Sequence, residues 1–383
     1  MARTGSPFRW RANRLVPALS VRGDSCARPQ GPPERPSSSL SRTARWLART
    51  GVLAGLLAPA TLAGAQSVPQ PPAIPDSQLF RRVDSLVAAT PGFSGVVAIG
   101  RGGVVVHLAA AGTIAPGGPS PTAETAFNLG SVNKLFTQIV VRQLAAEQGW
   151  SLDTTLAALW PQYPNAAVAR AITIRQLLTH RSGVQGNIFA GDSAARASLR
   201  TLRDFLPLFV NEPLQFTPGS RDAYSNAGYV LLGLLIEQRT QRSYFDVVAE
   251  RVYGPAGMTR SAHWRRDSLP AFAARGSTRG AEPGVPPSAP RSNVATLPAR
   301  GSSAGGGYAS AADLVRFVQA LRERRLPQAP PPGIGVAGGS PGVNAIIEGD
   351  LPGGRDVIVL ANVDPPAAER LAQAIRRLLG AAD

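Results

Sequence analysis

Strand-like runs stand near both ends of the chain, and the long stretch between them has the spacing of helices. Near the first end, residues 93–100 and 104–110 are rich in Val and Ala and flank Arg101-Gly102-Gly103, a pattern typical of a β-hairpin. Near the other end, residues 343–348 and 356–363 read as two further strands. This order predicts one antiparallel sheet that is built from both ends of the chain.

Four segments with helical periodicity accompany these strands. They are residues 76–89, 131–148, 311–324 and 366–379. We expect the terminal helices to cover one face of the sheet, and a mostly helical region of about residues 131–325 to be inserted beside it, which leaves a cleft between the two. The predicted fold class is thus α/β in the α+β sense, an antiparallel sheet flanked by helices. A loop rich in Pro, Gly and Ser is expected over residues 278–300.

The first 65 residues are set apart from this pattern. An apolar run of 15 residues, 51–65, follows three arginines and ends in Ala63-Gly64-Ala65, the small-x-small pattern of a signal-peptidase site. We therefore predict a leader over residues 1–65 that is cleaved near Ala65, a linker over 66–75 and a single domain over 76–380, exported to the periplasm or the extracellular space. The 50 residues before the run are long for a signal peptide, and their Arg, Pro and Ser bias suggests a start codon assigned too early or a disordered extension. Because the run is short for a bilayer span, no stable membrane anchor is expected.

The net charge of +16 raises the question of a nucleic-acid partner. Ten arginines against Asp24 and Glu34 give the leader +8, so the remainder carries +16 − 8 = +8. That charge is spread out, without a basic helix or a Gly-rich phosphate loop, and no nucleic-acid partner is expected. The single cysteine, Cys26, lies in the leader, and the three histidines are too scattered for a metal signature. Neither a disulfide nor a metal or other cofactor is expected.

Of the 40 basic residues, 39 are arginine and only Lys134 is lysine. A lysine can lose its proton and act as a base, whereas an arginine stays charged at any workable pH. Lys134 follows Ser131 by three residues, in Ser131-Val132-Asn133-Lys134, which places both side chains on one face of a helix. At a helix N-terminus the macrodipole disfavours an ammonium, and the free N–H of Ser131 can face an oxyanion. We therefore predict Ser131 as a nucleophile and Lys134 as its base.

Several ordered motifs resemble the serine β-lactamase and penicillin-binding-protein superfamily, especially its class C and family VIII esterase branch. Residues 127–134 are similar to the first motif of that family, and Tyr224-Ser225-Asn226 is similar to its second, Tyr-x-Asn. Residues 176–183 and 254–258 match landmarks without catalytic roles. The resemblance implies that Tyr224 shares proton transfer with Lys134 and protonates the leaving group, while Asn226 holds Lys134 and the substrate amide.

The third motif of that family, a strand with Lys or His followed by x-Gly, is altered in this chain. Residues 335–342 align with it, and Val336 occupies the basic position. The resemblance implies that the backbone near Gly338 and Gly339 still completes the oxyanion site, because backbone N–H groups do not depend on the side chain. The positive charge that meets a substrate carboxylate is missing from the motif.

The loss of this charge favours neutral esters, unless an arginine such as Arg300 or Arg355 supplies it. We predict an exported serine hydrolase that acts through an acyl-enzyme on a small-molecule ester or amide or a cell-wall-type peptide. Esterase activity ranks above D-amino-acid peptidase and β-lactamase activity. The alternative is a weakened penicillin-binding-like module that binds peptidoglycan or acyl ligands without turnover. Two Gly-x-Ser-x-Gly stretches, 301–305 and 338–342, are interpreted as turns, because all three histidines precede them and a nucleophile elbow needs a later one.

Overall fold

The computed structural model describes residues 74–189, 191–280 and 289–381. The predicted leader and its cleavage site lie outside these residues. The strands in the described part are β1 (Gly95–Arg101), β2 (Val104–Ala111), β3 (Ala126–Asn128), β4 (Ser277–Thr278), β5 (Arg291–Ser292), β6 (Tyr308–Ser310), β7 (Gly335–Ser340), β8 (Val343–Leu351) and β9 (Arg355–Ala361). Five of them form the central antiparallel sheet, in the order β2-β1-β9-β8-β7.

This sheet joins the two ends of the chain. β1 pairs with β2 through the predicted hairpin, and on its other side β1 pairs with β9, so that Val97 stands opposite both Ala109 and Val359. β8 continues the sheet, and β7 forms the edge opposite β2. The predicted fold class, an antiparallel sheet built from the N- and C-terminal segments and flanked by helices, is confirmed.

Helices account for most of the remaining regular structure. The helices in the described part are α1 (Asp76–Ala88), α2 (Asn133–Glu147), α3 (Leu156–Leu159), α4 (Ala166–Ala171), α5 (Ile174–Leu178), α6 (Ser193–Ser198), α7 (Leu202–Phe205), α8 (Asn226–Thr240), α9 (Tyr244–Val248), α10 (Gly254–Ala256), α11 (Ala311–Arg322) and α12 (Ala367–Leu378). None of them combines the length and apolarity that crossing a bilayer requires.

Both faces of the sheet are covered, which explains why its central strands are apolar throughout. Val97 and Ile99 of β1 pack with the terminal helices α1 and α12. Val96 and Ala98, which alternate with them, pack into the larger core formed with α11 and the inserted helices. All β1 residues from Gly95 to Gly100 are therefore buried.

The inserted region is mostly helical, as predicted, but it also contains short strands that the sequence did not reveal. β3 pairs with β6, so that Asn128 stands opposite Tyr308 directly before the predicted nucleophile. β4 pairs with β5 inside the segment that was expected to be only a loop, 278–300. Strands of two or three residues are too short to show an alternating pattern, and periodicity therefore misses them.

Candidate active site

The predicted nucleophile is presented by a tight turn between β3 and α2. Ser131 lies in a 3₁₀ turn, Gly130–Val132, and α2 proper begins at Asn133. Gly130 adopts φ +50°, a left-handed conformation that favours glycine, and its N–H donates to Asn128 Oδ1 at 2.9 Å. The turn brings Ser131 Oγ to 3.2 Å from Lys134 Nζ.

The environment of Lys134 disfavours its charged form. Only 6% of the residue is exposed, and desolvation by burial lowers the pKa of the amine from 10.5 to about 7. Its Nζ contacts three oxygens, at 3.2 Å from Ser131 Oγ, 2.8 Å from Asn226 Oδ1 and 2.5 Å from Ala304 O. Near neutral pH a substantial fraction of this lysine is therefore an uncharged amine that touches the serine hydroxyl.

The hydrogen bonds around the amine define where its lone pair points. Asn226 Oδ1 and the Ala304 carbonyl can only accept, so they take the two N–H bonds of a neutral amine. The remaining contact is Ser131 Oγ, and Tyr224 donates its own O–H to that oxygen at 2.7 Å. The hydroxyl hydrogen of Ser131 is thus left to point at the lone pair of Lys134, which is the arrangement that proton removal requires.

The predicted second motif lies at the start of α8 and contacts both Ser131 and Lys134. Ser225 caps α8, because its Oγ accepts from Gly228 N at 2.8 Å, and Asn226 is the first residue of that helix. Tyr224 is half-exposed, but desolvation of its phenol raises the pKa, and the hydrogen bond to Ser131 opposes that shift only in part. The phenol therefore stays protonated at neutral pH, which suits a proton donor and not a tyrosinate base.

The strand β7 lies directly against the nucleophile turn. A Cβ on Gly338 would stand 2.0 Å from the Leu129 carbonyl oxygen and 2.8 Å from Ser131 N, so only glycine fits. The neighbouring Gly339 lies one residue before Ser340, which pairs with Val343 across a two-residue turn. Because antiparallel pairs alternate in their bonding, the Gly339 N–H points away from β8 and outwards from the sheet edge.

The structure also locates the residues considered for the missing positive charge. Val336 stands two residues before Gly338 in β7 and therefore on the same face of the strand as the glycine that touches Ser131. Arg355 is buried and pairs with Asp76 at the start of α1, on the other face of the sheet, so the expectation that it could serve is wrong. The guanidinium of Arg300 stacks over Phe245, 3.7 Å from the ring centroid.

Two contributions to the site were missed in the sequence. The first is the Ala304 carbonyl, which belongs to the turn 301–305, one of the two rejected Gly-x-Ser-x-Gly stretches. Ser302 and Gly305 exchange two backbone hydrogen bonds across this turn, and Thr137 Oγ1 donates to Ser303 O at 2.7 Å. The glycine-rich composition indicated the turn, but no side chain in the sequence indicates where a backbone carbonyl points.

The second is His180, which lies in residues 176–183, a stretch that was expected to have no catalytic role. Its ring lies 4.6 Å from that of Tyr224, centroid to centroid. The sequence signal that could have drawn attention to His180 was its position in residues 176–183, which match a landmark stretch of the family that the sequence resembles. Within the described ranges, no group of three His, Cys, Asp or Glu residues could hold a metal ion.

The model of the beta-lactamase family matches residues 81–331, which is more than half of the chain. This chain belongs to the beta-lactamase family. The match covers the predicted serine, lysine and tyrosine and ends before β7. The resemblance to β-lactamases and penicillin-binding proteins inferred from the motifs is confirmed, and the chain is a member of this family of serine hydrolases.

Individual relatives support the same assignment. Penicillin-binding protein 4 of Amycolatopsis lactamdurans is 30% identical over 217 residues, which are 56% of this chain and 55% of that protein. The alignment thus spans only about half the length of this curated relative. The solved penicillin binding protein from Bacillus halodurans has a TM-score of 0.67 at 29% identity, covering 77% of this chain and 99% of that one. A D-amino acid amidase from Ochrobactrum anthropi has a TM-score of 0.67 at 20% identity, covering 79% and 99%, and this likeness concerns the fold alone.

Proposed function

We propose that this protein is an exported acyl-enzyme hydrolase of neutral esters, with Ser131 as nucleophile and Lys134 as general base. The observation that carries the proposal is the buried amine 3.2 Å from Ser131 Oγ, whose two other contacts, Asn226 Oδ1 and Ala304 O, can only accept hydrogen bonds. A base whose pKa is near the working pH is the most effective, and burial lowers the pKa of Lys134 to about 7.

The first half-reaction forms the acyl-enzyme. The Ser131 hydroxyl gives its proton to Lys134 Nζ while Oγ bonds to the carbonyl carbon, and the carbonyl oxygen becomes an oxyanion that the N–H groups of Ser131 and Gly339 stabilise. The new ammonium faces the rings of Tyr224 and Tyr229, with Nζ 4.7 Å and 5.4 Å from their centroids. As the oxyanion collapses, the leaving atom takes the phenol proton of Tyr224.

The second half-reaction restores the enzyme. The proton held by Lys134 passes to the phenolate of Tyr224, whose ring centroid lies 4.7 Å from Nζ, so that Lys134 is again a neutral amine. A water then bonds to the acyl carbon and gives its proton to Lys134. The ester bond to Oγ breaks, and Oγ takes that proton back.

The preference for neutral esters rests on β7. Val336 presents an apolar side chain on the face where the family carries a cation, so a carboxylate on the substrate would meet no charge from this strand. Relatives named as a penicillin-binding protein and a D-amino acid amidase make peptide-like amides the second substrate class to test. Export is inferred from the leader alone.

A hydrolysis panel tests the proposal. p-Nitrophenyl esters are expected to be turned over faster than D-alanyl amides or a chromogenic cephalosporin, and a fluorophosphonate should label Ser131 covalently. Ser131→Ala and Lys134→Arg should each lower kcat/KM by at least about a thousandfold. Ser85→Ala, on the exposed face of α1, serves as the matched control and should change nothing. An active Lys134→Arg variant would exclude Lys134 as the base.

The alternative, a module that binds acyl ligands without turnover, has one observation in its favour, the valine at position 336. The same panel separates it from an enzyme. Absence of fluorophosphonate labelling together with saturable ligand binding would favour the binding module.

A further inference from the structure

His180 is built into the segment that carries Tyr224. The histidine itself adopts φ +58°, a left-handed conformation that is unusual for a residue with a side chain. Its ring packs between two tyrosines, with centroids 4.6 Å from Tyr224 and 5.0 Å from Tyr229. Because about half of Tyr224 is exposed, this ring is a major restraint on where the phenol can move.

The backbone on both sides of Tyr224 is held by the same histidine. The Ala223 N–H donates to the His180 carbonyl oxygen at 2.9 Å, and the Ser225 N–H donates to His180 Nδ1 at 3.1 Å. The amide of Gln185 adds two longer contacts, to the carbonyl oxygens of Ala223 and Tyr224. One residue thus contacts the ring of Tyr224 and the backbone N–H groups of the residues before and after it.

This arrangement requires a neutral imidazole. Nδ1 can accept a hydrogen bond only when it carries no proton, so the ring hydrogen belongs on Nε2. Burial lowers the pKa of His180 to about 4, and the nearby charge of Lys134 acts in the same direction. The acceptor is therefore maintained throughout the pH range in which Lys134 changes its charge.

We propose that His180 is a positioning residue that holds the Tyr224 hydroxyl where it can protonate the leaving group. The inference rests on the proposed function, because it assigns to Tyr224 the proton that the leaving atom takes. In that step the bond between the acyl carbon and the leaving atom breaks, and the Tyr224 O–H proton moves to the leaving atom. A displaced phenol would leave attack by Ser131 possible but would slow departure of a poor leaving group.

Two variants separate the contacts of His180. His180→Asn tolerates the left-handed backbone and keeps a short acceptor, but it removes the ring that packs on Tyr224. His180→Phe keeps a ring and removes the acceptor for the Ser225 N–H. Each variant keeps one of the two contacts, so if one variant does not fold, the other variant can still be measured. Thr179→Ala is the matched control, because that exposed hydroxyl bonds only to its own helix.

The decisive readout is the dependence of kcat/KM on the leaving group. A p-nitrophenyl ester and an ethyl ester of the same acid are compared, because p-nitrophenolate departs without a proton and ethoxide does not. We expect the His180 variants to lose about tenfold to a hundredfold on the ethyl ester and no more than about threefold on the p-nitrophenyl ester. Tyr224→Phe should show the same pattern, and the double variant His180→Asn with Tyr224→Phe should be no worse than Tyr224→Phe alone.

Equal losses on both esters, or losses that multiply in the double variant, would overturn the inference, because a purely structural defect acts in that way. The outcome is distinct from failure of the proposed function. If Ser131→Ala retains hydrolysis, the proposed function itself is wrong. If Ser131→Ala is inactive while the His180 variants resemble Thr179→Ala, only the role of His180 is wrong.

Discussion

Replacing Lys134 by methionine should change the pH dependence of stability in a direction that the structure fixes. The pKa of this amine falls from 10.5 in the unfolded chain to about 7 in the folded protein because it is desolvated. A shift of this size, at 1.36 kcal/mol per pH unit, means that the folded protein disfavours the ammonium by about 5 kcal/mol.

The sign follows from proton linkage. Below about pH 7 both states bind the proton, and the folded state carries the full cost of a buried charge. Between about pH 7 and pH 10.5 the unfolded chain binds a proton that the folded protein lacks, so the stability of the wild type rises with pH. From pH 6 to pH 9 this contribution recovers about 3 kcal/mol, and the methionine variant has no such term.

Urea unfolding of the wild type and of Lys134→Met at pH 6 and pH 9 measures the effect. Relative to the wild type, the variant should be about 3 kcal/mol more stable at pH 6 than at pH 9, so the free energy of unfolding of the variant minus that of the wild type is larger at pH 6. The acceptors that lose a partner, Asn226 Oδ1 and Ala304 O, affect both pH values equally and cancel. Arg142→Met on α2 removes a cation that stays charged at both pH values, so its effect should not change. A pH-independent difference for Lys134→Met would refute the neutral amine.

Three further outcomes are expected. The kcat/KM for ester hydrolysis, measured from pH 5 to pH 9, should fall on the acid side with an apparent pKa of about 7, because protonation removes the base. Gly338→Ala should lower kcat in the same ester assay by about a hundredfold or more, because its Cβ would stand 2.0 Å from the Leu129 oxygen and would displace β7. Gly335→Ala is the control and should leave kcat unchanged, because a Cβ there meets nothing within 4 Å. Val336→Lys should raise kcat/KM for an ester that carries a carboxylate by about tenfold relative to its neutral analogue, and equal changes for both substrates would contradict the role of this position.

The sheet could be predicted because its strands carry their own signal. Residues 95–100 and 357–361 are apolar on both faces, since the terminal helices cover one and the inserted core covers the other. That the first hairpin and the last strands share one sheet was inferred from the order of the elements, and in the structure β1 pairs with β9. The short strands β3 to β6 could not be inferred, because their pairing depends on long-range contacts and not on a local pattern.

In the active site as well, contacts between residues close in the sequence could be predicted, and contacts between distant residues could not be predicted from spacing. Ser131 and Lys134 are adjacent on a helix, so their proximity follows from spacing. Tyr224 and Asn226 lie at the start of α8, 93 residues from Ser131 and 92 from Lys134 respectively, and only the resemblance to a family indicated that they belong to the site. The Ala304 carbonyl and the ring of His180 were missed. The direction of a backbone carbonyl has no sequence signature. The orientation of the His180 ring depends on a left-handed backbone conformation, which no neighbouring glycine or asparagine indicated.

These contacts also explain why a chain so rich in arginine keeps a lysine at this position. Among the described residues, no carboxylate forms a salt bridge with Lys134, and its three partners are a hydroxyl, an amide oxygen and a carbonyl. An arginine would bring a permanent, unpaired charge into a position that is 6% exposed. It would also offer only donors to Ser131 and could not take its proton. Burial is tolerated here because an amine can lose its charge, and in the proposed mechanism the loss of charge is what makes it a base.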